Sequence, residues 1–276
     1  MVRVYLSGNP VHDRVLEAFY EGCPNESELV QGWKYEPSEI AVVFGVYKSK
    51  IRQSWPRGKI FRQQRERKLD VIVLETGYVN RGDGEAHHYA AGFNGLNGRA
   101  DFKNKNMGPE RWESLNVQLK PYSPGEKVIL CGQVPWDASL EFGIAKPQKH
   151  EDWLTETALK LKAITRRPIV FRPHPLAKLP PIKGCEYSTA PLSEDLKSAH
   201  AVVAFNSNSL VEAAIEGKAI FALDEGSMVW DIANKSLLDI DDPQYQDRKL
   251  WARNLAYTQW SLADFKNGQA WKHLSR

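Results

Sequence analysis

The sequence lacks several features that would assign its class directly. Its three cysteines (Cys23, Cys131 and Cys185) form no CxxC pair, which argues against structural disulfides and a zinc site. No apolar run approaches the roughly 20 residues of a membrane span, and the opening residues lack the apolar core of a signal peptide. We therefore expect a protein of the reducing cytoplasm with no membrane partner.

Charge and length also set limits. The net charge of +3 over 276 residues is too small to indicate nucleic-acid binding by itself. Apolar and charged fractions of 42% and 26% are typical of soluble globular proteins. The length exceeds the roughly 100–200 residues of one domain, so we expect two domains or one large α/β unit.

Short β-branched runs alternate with helical patterns, which predicts parallel sheets covered by helices. Strands are predicted at 2–6, 40–45, 70–75, 127–132, 168–172, 201–205 and 219–223, and helices at 11–20, 151–164, 193–199 and 209–217. The pattern predicts an N-terminal Rossmann-like domain (1–122), a second one (123–250) and a helical tail (251–276) that crosses back. Between the two patterns, 76–126 is rich in Gly, Asn and Pro and is interpreted as a functional loop or an interdomain face. Two such domains would enclose a cleft, with ligands at the carboxyl ends of the strands.

Polar residues follow the strands of the second domain. Arg172 could hold a phosphate with two hydrogen bonds, and His174, fixed between two prolines, could donate another. Ser207 and Ser209 precede a helix, where they could bind an anion or simply cap the helix. Glu212 could bind a ribose diol or favour the helix dipole. The predicted donor-binding residues are Gln133, Arg172, His174, Ser207, Asn208, Ser209 and Glu212.

Two common nucleotide motifs are missing. A Gly-rich dinucleotide fingerprint and a P-loop are both absent, which argues against dinucleotide binding and kinase chemistry.

The His174-Pro175 pair, the paired serines and the "EAAIEGKAIF" that begins at Glu212 resemble GT-B glycosyltransferases of the bacterial capsule, Kdo-transferase and polysialyltransferase type. The resemblance implies a GT-B fold whose HP and Ser motifs hold the phosphate and ribose of a nucleotide sugar. It also implies a general base in an acidic "EDG" motif. Here "LETGYVNR" stands at that place, and Thr76 replaces the middle acidic residue.

The whole chain, including "GFNGLNGRADF" (92–102) and "QWSLADFKNGQAWKHL" (259–274), is similar to compact glycosyltransferases of tailed bacteriophages. Some of these transfer sugar to hydroxymethylated pyrimidines of phage DNA. The resemblance implies a monomeric enzyme of the infected cell's cytoplasm. It would move a sugar, glucose from UDP-glucose in first place, to 5-hydroxymethylcytosine or, less favoured, 5-hydroxymethyluracil in double-stranded DNA. A CMP-sugar donor stays open.

Glu75 is the first candidate for the general base, with Asp83, Asp101 and His87 as alternatives; a salt-bridged structural carboxylate is the other interpretation of Glu75. No cofactor or metal is required if Arg172, His174 and a helix N-terminus stabilise the leaving phosphate. His87 and His88 lack a third ligand at suitable spacing.

The segment 47–68 carries nine Lys or Arg against one Glu, which suits DNA contact or the solvated face of a helix. The predicted acceptor-binding residues are Arg52, Trp55, Arg57, Lys59, Arg62, Asn80, Arg81, Asn94, Asn97 and Arg99. Two other functions stay open, a transferase of surface polysaccharide and an inactive nucleotide-sugar or DNA-binding module.

Overall fold

The computed structural model describes residues 1–32, 34–46, 56–81, 87–143 and 149–276. Three of the predicted site residues, Arg52, Trp55 and Asp83, lie outside these ranges. The chain divides into two compact units. Unit 1 consists of Met1–Leu115 together with Ala252–Arg276, and unit 2 of Asn116–Trp251.

The helices and strands of the described chain alternate over most of its length. In chain order they are β1 (Val2–Tyr5), α1 (Pro10–Glu21), β2 (Ser27–Val30), β3 (Ile40–Phe44), α2 (Pro56–Glu66), β4 (Asp70–Thr76), β5 (His88–Phe93), α3 (Glu110–Ser114), β6 (Lys127–Cys131), α4 (Leu140–Gly143), α5 (His150–Ile164), β7 (Ile169–Arg172), β8 (Glu186–Tyr187), α6 (Leu192–Ser198), β9 (Ala199–Ala204), α7 (Ser209–Ile215), β10 (Ala219–Ala222), α8 (Lys249–Ala256), β11 (Gln259–Ser261), α9 (Leu262–Lys266) and α10 (Gln269–Leu274). The predicted α/β class is confirmed.

Unit 1 contains a six-stranded sheet in the order β11-β5-β4-β3-β1-β2. Strands β1 to β4 are parallel to one another, and β5 runs antiparallel to both of its neighbours, β4 and β11. The sheet of this unit is therefore mixed, with one antiparallel strand added to the predicted parallel ones. Strand β5 falls within the stretch interpreted as a loop because its Ala- and Gly-rich sequence has little intrinsic strand preference. Tertiary packing requires the small side chain: a Cβ at Gly92 would lie 2.7 Å from the ring of Phe102.

The core of unit 1 forms where α1 covers the sheet. Asn9 caps this helix by accepting a hydrogen bond from the Val11 amide, and Val15 and Phe19 lie on its buried face. Segments α9 and α10 contribute Phe265 and Leu274 to the same apolar cluster. The backbones of α1 and α9 approach so closely that a Cβ at Gly22 would lie 1.9 Å from the carbonyl oxygen of Phe265.

Unit 2 contains a five-stranded sheet in the order β10-β9-β6-β7-β8, in which every pair is parallel. Its strands are nearly continuous apolar runs because helices cover both faces. Leu154, Ala158 and Leu161 of α5 pack on β6 and β7 within one apolar cluster. The helices predicted at 151–164, 193–199 and 209–217 form as α5, α6 and α7.

Each sheet has a point where the direction of strand addition reverses. In unit 1 the chain passes from β1 through α1 to β2 on one side, and from β3 through α2 to β4 on the other. In unit 2 the reversal falls between β6 and β9. Ligands of open α/β sheets bind at the carboxyl ends of the strands that flank such a reversal, so the candidate residues are those that follow these four strands.

Candidate functional site

In unit 1, Glu75 and Arg57 meet over Gly45 at the carboxyl end of β3. Glu75 is the second-last residue of β4 and lies at this edge of the sheet, and Arg57 lies in the first turn of α2. A Cβ at Gly45 would lie 2.8 Å from Glu75 Oε1 and 3.2 Å from Arg57 Nη1. Gly45 has φ +71°, a left-handed conformation that also favours glycine. Burial lowers the pKa of Arg57, and the charge of Glu75 opposes that shift.

The guanidinium of Arg57 is also tied to the sheet, because its Nη1 donates a 2.8 Å hydrogen bond to the carbonyl oxygen of Phe44. The predicted base and one predicted acceptor-binding residue are thus brought together.

His12 lies at the same edge and is not among the residues predicted from the sequence. It follows β1 in the first turn of α1, and its ring stacks on that of Phe44, with centroids 4.1 Å apart and planes 8° from parallel. Burial lowers the pKa of His12, Arg57 lowers it further, and Asp13 raises it. The available signal was weaker than for Arg172, because His12 lies in the first turn of the helix after the first strand rather than at the strand's own end.

Four other predicted residues do not join Glu75. Strand β5 runs antiparallel to β4 and returns the chain to the amino end of β4. There Asn94 accepts a hydrogen bond from the Val71 amide and donates one to the Asp70 carboxylate, both of 2.9 Å. Asp101 pairs with Phe93 of β5 through the backbone. Asn97 and Arg99 form the 3-10 turn between them. The side chain of Asn94 therefore ties the end of β5 to the start of β4 and lies away from the carboxyl edge.

Asp101 forms a local ion pair. Its Oδ2 lies 2.6 Å from Lys103 Nζ. Burial raises the pKa of Asp101, but the hydrogen bonds and charge of Lys103 outweigh burial and hold the pKa below its usual value. The structure thus gives Asp101 a counter-ion of its own and places it away from Glu75.

The predicted residues Asn80 and Arg81 follow β4 on the carboxyl side. Asn80 adopts φ +54°, and its Nδ2 donates a 3.3 Å hydrogen bond to the Leu115 carbonyl. The preceding turn is held by buried Gln259, whose Oε1 accepts hydrogen bonds from the Tyr78 and Val79 amides at 2.7 and 2.9 Å. Gln259 was not predicted, since only the fold brings it to a turn 180 residues earlier.

The basic segment forms α2 beyond the undescribed residues. Lys59 and Arg62 are exposed on this helix, and Arg62 Nε lies 3.7 Å from Glu66 Oε1. Arg65 pairs with Asp70 at 3.3 Å. Of the described cations of this segment, Arg57 turns toward the carboxyl edge of the sheet, so α2 combines a site-facing cation with an exposed basic face.

In unit 2, Gln133 and Asn206 join the strands that flank the reversal point. Gln133 Nε2 donates to Asn206 Oδ1 at 2.8 Å, and the Asn206 amide donates back to Gln133 Oε1 at 3.1 Å. Asn206 Nδ2 then donates to Asp224 Oδ2 at 2.8 Å. Gln133 is 3% exposed and Asn206 is 4% exposed. The structure thus makes Gln133 a buried link between strand ends, and its predicted contact with the donor stays a prediction.

His150 supports the same network from the first turn of α5. The Gln133 amide donates a 2.9 Å hydrogen bond to His150 Nε2, which requires an unprotonated nitrogen at that position. Burial lowers the pKa of His150 to about 4. The ring, stacked on Trp153, is therefore neutral at pH 7.

Arg172 and His174 lie at the end of β7, one strand from the reversal point. Arg172 Nη1 donates to Asp195 Oδ2 at 2.9 Å and to the carbonyl of Ala190, and the Arg172 and Asp195 side chains are each 11% exposed. His174 Nδ1 accepts a 3.1 Å hydrogen bond from the Leu176 amide. In the neutral ring this leaves the proton on Nε2, so His174 presents a donor.

The paired serines precede α7. Ser207 Oγ accepts a 3.3 Å hydrogen bond from the Ser209 amide, a local turn contact. The N-cap residue of α7 is Asn208, whose side chain makes no capping hydrogen bond. Ser209 lies beside Cys131 of β6: burial raises the pKa of that thiol to about 11, and a hydrogen bond with Ser209 lowers it. Ser207 and Asn208 are half-buried, and Glu212 is exposed one turn into the helix.

Two further findings concern membranes and metals. No helix in the described ranges is long and apolar enough to cross a membrane. Within the same ranges, His, Cys, Asp and Glu form no group of three or more that could hold a metal ion.

The fold is that of GT-B glycosyltransferases, which confirms the predicted fold class. No protein-family model matches the chain, and no curated protein does. The chain is similar to Thermosulfurimonas dismutans KpsC, beta Kdo 2,4 transferase, with a TM-score of 0.60 and 16% identity over 92% of this chain and 89% of that one. It is also similar to Thermosulfurimonas dismutans KpsC, beta Kdo 2,7 transferase, with a TM-score of 0.59 and 15% identity over 97% and 98% of the two chains.

These solved structures support the capsule-type part of the resemblance seen in the sequence. The similarity to phage enzymes that modify hydroxymethylpyrimidines stays a prediction.

Proposed function

We propose that the chain is a glycosyltransferase that uses a nucleotide-sugar donor. The observation that carries the proposal is a fold shared with two sugar transferases over at least 92% of this chain. Polar groups also gather at the carboxyl edge of both sheets, where open α/β sheets bind ligands.

The proposed donor site lies in unit 2. Arg172 and His174 would bind the phosphates, and the turn before α7 would contact the nucleoside. Asp195 holds the Arg172 guanidinium through Nη1, which fixes its orientation before a ligand arrives. With these donors the leaving phosphate needs no metal ion, so we propose a reaction that persists in EDTA. A UDP-sugar is the favoured donor, with a CMP-sugar as the alternative.

Substitution of Arg172 tests the donor site. Arg172→Gln removes a charged hydrogen-bond donor worth about 1.5–3 kcal/mol, so donor Kd should rise roughly 10- to 100-fold. Exposed Arg166 of the same unit gives the matched control Arg166→Gln, which should bind donor as wild type does. Calorimetric titration with UDP-glucose and CMP-sugars measures both. Equal affinities of the two variants would refute the phosphate role.

For the acceptor we propose the hydroxymethyl group of a modified pyrimidine in DNA, first 5-hydroxymethylcytosine. What supports it is the exposed basic face of α2 next to Arg57 and Glu75, since cations beside a reactive group suit a phosphate backbone. Such an enzyme would act in the cytoplasm of an infected bacterial cell, and we propose that it acts there as a monomer.

The acceptor test incubates the protein with duplex DNA that carries 5-hydroxymethylcytosine or 5-hydroxymethyluracil and with a panel of nucleotide sugars. Digestion to nucleosides and mass spectrometry then detect the added sugar. Lys59→Gln with Arg62→Gln should lower DNA affinity and reduce the salt dependence of binding by about two phosphate contacts. Absence of any sugar-bearing nucleoside with every donor would refute the DNA acceptor.

A second candidate is a transferase of surface polysaccharide, favoured by the two Kdo transferases with a similar fold. It predicts transfer from a CMP- or UDP-sugar to an oligosaccharide, with activity unaffected by the Lys59 and Arg62 substitutions. The inactive binding module predicts donor binding without turnover on either acceptor. The same donor panel therefore separates the three possibilities.

A further inference from the structure

His12 occupies a place in unit 1 that the proposed function leaves without a role. His12 follows β1, and its ring stacks on that of Phe44, the last residue of β3. These are the two strands that flank the reversal point of the sheet, where a ligand of unit 1 would bind. The ring therefore lies at the most favourable position for contact with an acceptor in this unit.

The loop before His12 is held in place by its own hydrogen bonds. Asp13 Oδ1 accepts from the Ser7 amide at 2.5 Å and from the Ser7 hydroxyl at 2.8 Å. Asp13 Oδ2 accepts from the Gly8 amide at 3.0 Å. With Asn9 capping α1, the first turn of the helix is fixed, and stacking on Phe44 fixes the ring. The imidazole is thus preorganised without being engaged through its nitrogens.

Neither ring nitrogen of His12 has a hydrogen-bond partner among the residues that the structure describes, and the ring is half-buried rather than enclosed. Other histidines with structural roles behave differently: His200 and His273 are buried, and each uses Nε2 to contact a backbone carbonyl. A ring held by stacking, with both nitrogens open to a ligand, suits proton transfer.

Glu75 stands in a different environment, because the Arg57 guanidinium shares the space above Gly45 with its carboxylate. A carboxylate next to a fixed guanidinium is well suited to orient a hydroxyl but is a weaker proton acceptor. The charged groups that face His12 are Asp13 of its own helix and Arg57 of α2. Arg57 disfavours the protonated imidazole, so the ring is neutral and able to accept a proton at pH 7.

We propose that His12, rather than Glu75, is the general base of the transfer reaction; this inference rests on the proposed function. The acceptor oxygen forms a bond to the anomeric carbon of the donor sugar as its proton passes to a ring nitrogen of His12. The bond between the anomeric carbon and the phosphate oxygen breaks, and its electron pair leaves with the nucleotide. In this proposal the role of Glu75 and Arg57 is to orient the acceptor hydroxyl before it reacts.

The test compares His12→Ala, His12→Gln and Glu75→Gln in the full chain, with Val11→Ala as the control because Val11 is the exposed neighbour on the same turn. Steady-state transfer is measured with saturating donor, with and without imidazole. The urea-unfolding midpoint of unit 1 shows that each variant is folded, and titration with the donor measures its binding. A general base contributes roughly 10²- to 10⁴-fold to kcat, so both His12 variants should lose that much and bind donor normally.

Added imidazole should restore a measurable part of kcat to His12→Ala and none to Glu75→Gln, since only the former leaves an imidazole-shaped space. Glu75→Gln should mainly raise the KM for the acceptor. The inference is overturned if the His12 variants keep kcat within threefold of wild type, or if imidazole restores nothing. Wild-type protein that transfers sugar to no acceptor would instead refute the proposed function, and the role of His12 with it.

Discussion

Replacement of Gln133 by Leu should destabilise unit 2 while leaving the donor-contacting groups in place. The leucine side chain is similar in size but removes the hydrogen bonds that Gln133 exchanges with Asn206 at 2.8 and 3.1 Å. Asn206 Oδ1 still accepts a hydrogen bond from the Ser139 hydroxyl at 3.0 Å, whereas the backbone N–H of Asn206 loses its acceptor. One orphaned buried amide and one lost hydrogen bond together cost about 2–4 kcal/mol.

Urea unfolding of the whole chain measures this cost. With a dependence of about 2 kcal/mol per M, the unfolding midpoint of unit 2 should fall by roughly 1–2 M. Gln246→Leu is the matched control, since Gln246 is exposed in the same unit, and its midpoint should stay at the wild-type value. Donor affinity, measured below the transition, should change little. A Gln133→Leu variant with a wild-type midpoint but a much weaker donor affinity would refute the structural role and restore Gln133 as a donor contact.

Three further predictions concern unit 1, the network of unit 2 and the acid range. Gly45→Ala should raise the KM for the acceptor, as Glu75→Gln does, because its Cβ would lie 2.8 Å from Glu75 Oε1 and would displace that carboxylate. Gly32→Ala, at a similar φ of +85° with nothing within 4 Å, should cost only the backbone strain of about 1 kcal/mol. An equal rise of KM in both variants would contradict the steric account. His150 should titrate near pH 4 by NMR. Since this folded pKa lies below the unfolded value of about 6.5, unfolding should become easier as pH falls from about 6.5 toward 4, by up to about 3 kcal/mol, and a normal titration near 6.5 would contradict the buried neutral ring. Transfer itself should fall at a pH below 6.5 as His12, whose pKa burial lowers, becomes protonated, and a His12→Gln variant with residual activity should lose that acid limb in its pH profile.

Local sequence was sufficient for most of the elements. The β-branched runs at β1, β3, β4, β6, β7, β9 and β10 carry their strand preference in their composition, and α5 shows its apolar face at helical spacing. Strand β5 could not be predicted in this way, because Ala90, Ala91 and Gly92 have no such preference. They form a strand because β4 and β11 supply partners on both sides, and those partners come from 70–76 and 259–261.

The candidate site, too, was predicted in part from the sequence and decided in part by the tertiary structure. The order of residues along the chain placed Arg172, His174 and Ser207 at carboxyl ends of strands in one sheet and Glu75 near the carboxyl end of a strand in the other, because parallel strands have their carboxyl ends on the same edge of their sheet. Burial and pairing were decided by the tertiary structure alone. Gln133 is a link because Asn206 reaches it from 73 residues away, and Asn94 is lost to the site because β5 reverses the chain. His12 gains a role only because β1 and β3 are neighbours in the sheet, which places its ring on Phe44 and beside Arg57.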